Sequence, residues 1–181
     1  MTELSLNILD IAMNSVAAGA TLIGIYLTET DVSLEIRVED NGCGMSPELV
    51  ARVTDPFTTS RKTRRVGLGL PFFRLAAEQT GGTLTIDSHT ADSGFPHGTV
   101  VTAVFDKTHI DFMPLGDVIA TLITLIHGSD GYDLVFCHDC PDGQVHLDTR
   151  ELREVLGTEV PLNSPEILTW IREYLTEQYK N

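Results

Sequence analysis

The sequence predicts an α/β two-layer sandwich, a mixed sheet with helices over one face, carrying a small α/β extension at its C-terminal end. Three observations predict it. Residues 32–39 alternate apolar and polar, with Val32, Leu34, Ile36 and Val38 on one face, as a half-buried strand does. Residues 4–18 follow a helical period instead, with Leu4, Ile8, Ile11, Ser15 and Val16 making an approximate stripe. Patterns of both kinds recur along 181 residues that are 42% hydrophobic, enough apolar surface for one substantial core or for one domain with an appendage.

The first helix is expected over 3–18. Asn7, Asp10 and Asn14 recur at i, i+3 and i+7 on a second face, so that face offers a carboxylate and two amides. Asn14 could place its oxygen on a magnesium ion, which takes hard oxygen ligands, and Asp10, one turn earlier, could orient or deprotonate a water. The same pattern also describes the solvated side of an ordinary amphipathic helix. Strands are expected near 21–29 and 32–39, and the second runs into Asp40-Asn41-Gly42-Cys43-Gly44-Met45. The glycines allow a tight turn and leave room for a flat ligand, while a carboxylate at the strand end needs a donor that an exocyclic amine could supply. Taken alone, the stretch equally suits a strand-to-helix turn in which Asp40 caps the bend and Ser46-Pro47-Glu48 starts a short helix over 47–53.

The second glycine stretch, Val66-Gly67-Leu68-Gly69-Leu70, leads straight into a helix over 68–80. Pro71 is tolerated in its first turn, and Gly81-Gly82 ends it. A glycine-rich approach to a helix N-terminus presents free N–H groups to an anion. Arg61, Lys62, Arg64 and Arg65 are four of the eight Lys and Arg residues in positions 1–107. This basic island in an acidic chain suits a compact polyanion, or else a solvated loop. Strands near 83–88 and 98–105 follow, joined by a turn at Ser93-Gly94-Phe95-Pro96.

In type and order these elements resemble the GHKL superfamily, the histidine-kinase-like ATPases that include gyrase, the ninety-kilodalton heat-shock chaperones, histidine kinases and mismatch-repair ATPases. Asp10 and Asn14 look like the N box and Asp40 to Gly44 is similar to the G1 box. Residues 55–62 look like the F box and lid of histidine kinases, and Gly67 to Leu70 resembles their G2 box. Gly81 to Ile86 and His97 to Thr102 match the closing strands. The resemblance covers about residues 3–106 and implies a Bergerat (histidine kinase-like ATPase) fold over 1–107 that binds ATP and Mg2+.

By resemblance, Asp40 accepts from the adenine amine with Thr99 in support, Gly42 and Gly44 let the base approach, and Gly67 and Gly69 face the phosphates. Asn14 holds magnesium, Asp10 is the catalytic candidate, and Arg61 and Lys62 are lid contacts. Met45, Thr58, Thr59, Leu68 and Leu70, in the same boxes, complete the expected nucleotide-binding set. Two positions depart from the pattern. Hydrolysing members usually carry Glu where Asp10 stands, and histidine kinases usually carry Lys or Arg where Ala17 stands.

Residues 108–181 read as an acidic α/β extension with 4 basic against 13 acidic residues, suited to docking. A helix over 114–127 is expected to start at Pro114, with strands near 132–138 and 144–147 after it. Asp148 with Glu151 looks like a capping box, and Ser164-Pro165-Glu166 starts a last helix. Most family domains have a strand and a helix before the N box. Here the box stands almost at residue 1, so something else must cover that sheet edge, and the extension is the candidate. The spacing of His109 to Pro114-Leu115 is that of a histidine-kinase H box, but Ile110 stands where the acidic neighbour belongs, and an ordinary connector is the preferred reading. Cys137-His138-Asp139-Cys140 has the spacing of metal or redox sites; no second ligand pair completes a set, so reduced thiols near a hairpin are expected.

The formal net charge of −14 opposes non-specific nucleic-acid binding. No apolar run is long enough to span a membrane and no signal segment is evident, so a cytoplasmic protein is expected. The function these features imply is an ATPase, or a protein kinase acting in trans on a partner in signalling or regulation. The alternative is a non-enzymatic nucleotide sensor whose ATP-gated lid controls docking. Residues 114–117, 147–151, 165–166 and 170–171 further resemble short ATPases encoded beside iron-only hydrogenase subunits, which implies a hydrogenase-linked partner. Homodimerisation stays open.

Overall fold

The computed structural model describes residues 3–53, 69–129, 131–157 and 159–180. In chain order the elements are α1 (Leu4–Ala17), β1 (Leu22–Glu29), β2 (Ser33–Asp40), α2 (Pro47–Val53), α3 (Gly69–Gln79), β3 (Thr83–His89), β4 (Gly98–Asp106), α4 (Val118–His127), β5 (Asp133–Cys140), β6 (Gly143–Asp148), α5 (Thr149–Leu156) and α6 (Pro165–Gln178). The expected elements are present within a few residues of their expected bounds. All six strands join one sheet in the order β3-β4-β2-β1-β5-β6, and every neighbouring pair is antiparallel except β1 with β5.

Alternation along the strands decides which face is covered. Ile23, Ile25 and Leu27 of β1, Leu34, Ile36 and Val38 of β2, and Leu134 and Phe136 of β5 are buried, in one hydrophobic cluster with Ile8, Phe73, Leu122 and Ile171 from α1, α3, α4 and α6. Residues of the opposite parity stay on the outer face, where the Arg37 guanidinium lies 4.4 Å from the Tyr26 ring centroid. The result is the expected two-layer sandwich. Among the described residues no helix is long and apolar enough to cross a membrane.

The extension covers the sheet edge by pairing with it. β5 runs parallel to β1 from Leu22 opposite Asp133 to Thr28 opposite Asp139, so the last third of the chain continues the same sheet. The new outer edge at β6 is blunted by a side chain: the Gln178 amide accepts from the His146 N–H (2.8 Å) and donates to the His146 carbonyl (3.0 Å), standing in for one residue of a further strand.

The connector does a second job. Glu3, at the N-cap of α1, makes no side-chain capping bond. The orphan N–H groups of Leu4 and Ser5 are satisfied by the carbonyls of Pro114 (2.9 Å) and Leu115 (2.8 Å). This displaces the expected helix start at Pro114. With the carbonyls of 114 and 115 bonded to the N-terminus of α1 and Gly116 at φ +80°, α4 begins only at Val118, capped by Asp117 accepting from the Ala120 N–H at 2.8 Å. Asp148 does cap α5, and the side chain that closes on it is that of Arg150 at 2.6 Å.

A polar chain centred on the buried His138 fastens the seam at the far end of β1. His138 Nδ1 accepts from the Tyr179 hydroxyl (2.8 Å), His138 Nε2 donates to Glu29 Oε2 (3.0 Å), and Lys107 Nζ meets Glu29 Oε1 (2.7 Å). Burial keeps the imidazole below its usual pKa and pushes the Tyr179 phenol up, so both are neutral and the directions of these bonds follow. Cys137 and Cys140 are free thiols on opposite faces of β5, and burial raises the pKa of Cys137.

Candidate functional site

The end of β2 places one carboxylate at the mouth of the helix layer. Asp40 shares the parity of Leu34, Ile36 and Val38, so its side chain continues the covered face. Its Oδ2 accepts from the Ser15 hydroxyl of α1 at 2.6 Å and its Oδ1 from the Gly42 N–H at 2.8 Å. Each carboxylate oxygen has two lone-pair directions, so capacity remains for a further donor.

That capacity faces a cavity of about 680 Å³. Ile11, Met45, Leu70 and Val101 give it apolar walls, and Asp40 and Thr99 supply polar handles. Thr99 stands directly across the β2–β4 ladder from Asp40. Its hydroxyl lies 2.8 Å from that of Ser88, which accepts from the Met45 N–H (2.8 Å) and donates to the Gly98 carbonyl (3.1 Å). Ser88 therefore fixes Thr99 and the end of the glycine turn together.

The turn itself is built by packing. A Cβ at Gly42 would stand 2.9 Å from both the Cβ and the carbonyl oxygen of Ala18. Gly44, at φ +68°, would bring a Cβ 1.9 Å from the His89 carbonyl oxygen. Both glycines thus answer to protein backbone and α1 as well as to any ligand. Asn41 ties the turn to β1, accepting from the Thr21 N–H (2.8 Å), and His97 Nδ1 donates to the Gly42 carbonyl (2.7 Å).

A second space of about 600 Å³ runs between α1 and α3, lined by Asn7, Asp10, Asn14 and Gly69 with apolar side chains including Met13 and Phe72. Asn14 borders both spaces. Gly69 opens α3 directly against Asp10, where a Cβ would come within 2.9 Å of the Asp10 Cβ. Asp10, Asn14, Asp40, Gly44, Met45, Gly69, Leu70 and Thr99 are thus gathered around two adjoining cavities, while Gly42 lines neither and stands behind Asp40, donating to it. Thr58, Thr59, Arg61, Lys62, Gly67 and Leu68 lie outside the described residues.

Sequence reasoning missed Ser15, Ser88 and His97. Ser15 had a signal, a hydroxyl standing in an otherwise apolar helical stripe. Ser88 acts through its cross-strand neighbour Thr99 and His97 through the glycine turn, and neither carried one.

The residues fit the groups that the sequence implies. A cavity of this volume has room for a flat base, and Asp40 keeps acceptor capacity for a donor on it. The amide oxygen of Asn14, with the Asp10 carboxylate one turn away, is a partial set of hard oxygen donors, the kind magnesium completes with phosphate oxygens and water. Fold and cavities define the class: an α/β sandwich of the histidine-kinase-like type, with a cavity beside the carboxylate that ends β2. The chain belongs to the histidine kinase-, DNA gyrase B- and HSP90-like ATPase family, whose model matches residues 1–109.

Among curated relatives, it is 36% identical over 83 residues to a probable C4-dicarboxylate sensor kinase of Bacillus subtilis, covering 46% of this chain and 15% of that one. It is 34% identical over 96 residues to the tetrathionate sensor histidine kinase of Salmonella typhimurium, covering 53% of this chain and 16% of that one. The chain thus spans about one-sixth of the length of these relatives. The N-terminal domain of a DNA repair protein shares the fold with TM-score 0.54 at 16% identity, over 82% of this chain and 53% of that one. That likeness of fold continues past residue 109 into the extension.

Proposed function

We propose that this protein binds ATP with magnesium and transfers the γ-phosphoryl group to water or to a side chain of a protein partner, in signalling or regulation. The main support is Asp40, whose two oxygens each hold one internal donor and keep acceptor capacity toward the cavity. The adenine amine would complete that set, with Thr99 beside it. Magnesium, when bound, supplies charge neutralisation at the phosphates, and Asn14 is the residue that would hold it. The protein's own part is positioning: the apolar walls seat the base, Asn14 and the start of α3 flank the phosphates, and Asp10 orients the attacking oxygen and takes its proton.

The relatives' descriptions as sensor kinases favour a signalling role, and the resemblance to hydrogenase-linked ATPases adds redox metabolism as its setting. Asp10 also supports a second reading. Its arm is one methylene shorter than glutamate and Gly69 packs against its base, so binding without turnover, with closure gating a docking partner, is the alternative. Magnesium-dependent ATP binding and hydrolysis by the wild type and by Asp10→Asn separate the two. Turnover that Asp10→Asn abolishes while binding persists supports catalysis; tight binding with no turnover, alone or with partner, supports the sensor. A wild type that fails to bind ATP refutes both.

A further inference from the structure

The groove between α1 and α3 holds a buried amide that meets no partner. Asn7 is 1% exposed, and its Nδ2 and Oδ1 are the buried side-chain atoms left without a hydrogen bond among the described residues. Water satisfied both atoms in the unfolded chain, so an amide left unpaired on folding is destabilising, and an apolar side chain of similar shape would be more stable there. The adjacent positions Leu4, Ile8 and Ile11 are apolar and buried. A polar residue at such a place, among apolar neighbours and without a partner, points to a partner that comes and goes.

Position says which partner. Ser15 and Ala18 border the cavity at Asp40, Asn14 borders both spaces, Asp10 lies one turn earlier, and Asn7 one turn earlier still. At a rise of ~1.5 Å per residue, Asn7 stands about 10 Å along the axis from Asn14. A triphosphate leaving the base at Asp40 and passing Asn14 therefore presents its far end to Asp10, with Asn7 at the side from which an attacking group arrives.

We propose that Asn7 is a positioning residue for a neutral O–H nucleophile, either water or a serine or threonine hydroxyl. The inference rests on the phosphoryl-transfer reading above. Rotated toward the filled groove, Nδ2 donates to one lone pair of the nucleophile and leaves the other for phosphorus; when the nucleophile is water, Oδ1 accepts its second hydrogen. The nucleophile's oxygen bonds to the γ-phosphorus while the bond from that phosphorus to the β,γ-bridging oxygen breaks, its electron pair leaving on ADP. The nucleophile's proton passes to the Asp10 carboxylate, and Asn7 exchanges no proton.

The test is Asn7→Leu beside the wild type, with three readouts. Removing two orphan polar atoms should raise Tm by about 2–8 °C. The Kd for Mg·ATP should stay within about two-fold, and turnover should fall at least about ten-fold. Independently of turnover, the Asn7 side-chain NH2 pair in a 1H–15N spectrum, assigned by its loss in Asn7→Leu, should shift and exchange more slowly once magnesium and a non-hydrolysable ATP analogue are added. Turnover by the wild type alone identifies water as the nucleophile; turnover only on a serine or threonine peptide identifies a hydroxyl. The proposal is overturned if Asn7→Leu turns over as the wild type does, if its Tm falls, or if the NH2 pair is unmoved by nucleotide, and the last outcome decides even when the wild type does not turn over alone. A wild type that binds no ATP refutes the phosphoryl-transfer reading itself, visible in the titration before any variant is compared.

Discussion

Asp40→Asn puts the adenine assignment to its sharpest test, because the structure says what the replacement amide must do. It has one oxygen where the carboxylate had two. That oxygen stays on the Gly42 N–H, now 2.8 Å from Oδ1, since turning the NH2 there would set donor against donor. The NH2 then faces Ser15, whose hydroxyl can reverse to accept from it and aim its own hydrogen at the Ile11 carbonyl, 3.4 Å away. The fold should survive with a loss of about 1 kcal/mol. The ligand loses more, because the base's amine now meets a donor instead of an ionised acceptor. One charge-assisted bond of about 1.5–3 kcal/mol corresponds to ~10- to 150-fold in Kd. Calorimetric titration with ATP and with inosine triphosphate, which carries a carbonyl in place of the amine, isolates the cause. ATP affinity should fall by that factor while inosine triphosphate holds or gains. Equal losses for both nucleotides, or ATP affinity unchanged, would refute the argument that Asp40 contacts the amine.

Two further predictions concern the frame. Gly44→Ala adds a left-handed penalty of about 1–2 kcal/mol to a backbone clash at His89, whereas Gly19→Ala meets the penalty alone, since φ is +72° and the space around it is open. Chemical unfolding should therefore show Gly44→Ala as much the more damaging, and equal losses would mean the turn yields. His138 sets a pH dependence. Its folded-state pKa is depressed by burial, so below about 6.5 the unfolded chain takes up a proton that the folded chain refuses. Stability should fall as pH drops from 7 toward 5, by up to ~1.4 kcal/mol per pH unit for one proton. His138→Gln, which does not titrate, should flatten that segment. Burial opposes ionisation of Glu29, yet its bonds from Lys107 and His138 win and lower its pKa, so the Glu29 contribution is lost only at more acidic pH, in a separate window.

The frame was legible wherever local pattern and burial agree. Alternation through Leu34, Ile36 and Val38 gave both β2 and the covered face, and Asp40 stood out because two glycines follow a strand of fixed parity. The pairings of the extension were not legible. That β5 would run parallel to β1 depends on contacts across about a hundred residues, and no local spacing encodes direction. His138 shows the same limit. In sequence it sits inside a two-cysteine pattern suggestive of metal, whereas in the fold its partner is Glu29, 109 residues away, and the thiols point to opposite faces. Pro114 misled for a related reason. Proline is a sound helix starter, but its carbonyl was already committed to the orphan amide of Leu4, and the helix had to wait for Asp117.

That commitment bears on how a nucleotide signal could leave the site. The β5–β6 part of the extension shares a continuous ladder with β1 and is fastened by the His138 chain, so it moves with the sheet, and a hinge there would break both. α1 is held differently. It carries Asn7, Asp10 and Asn14, and its N-terminus rests on the connector through Leu4 and Ser5, with Thr121 of α4 donating to the Ser5 carbonyl at 3.2 Å. Any shift of α1 along its axis on nucleotide binding therefore pulls on 114–115 and on α4 at one end, and on Asp40 through Ser15 at the other. If this protein gates a partner, α4 and the connector are the elements of the extension placed to show it, while β5 and β6 stay with the sheet.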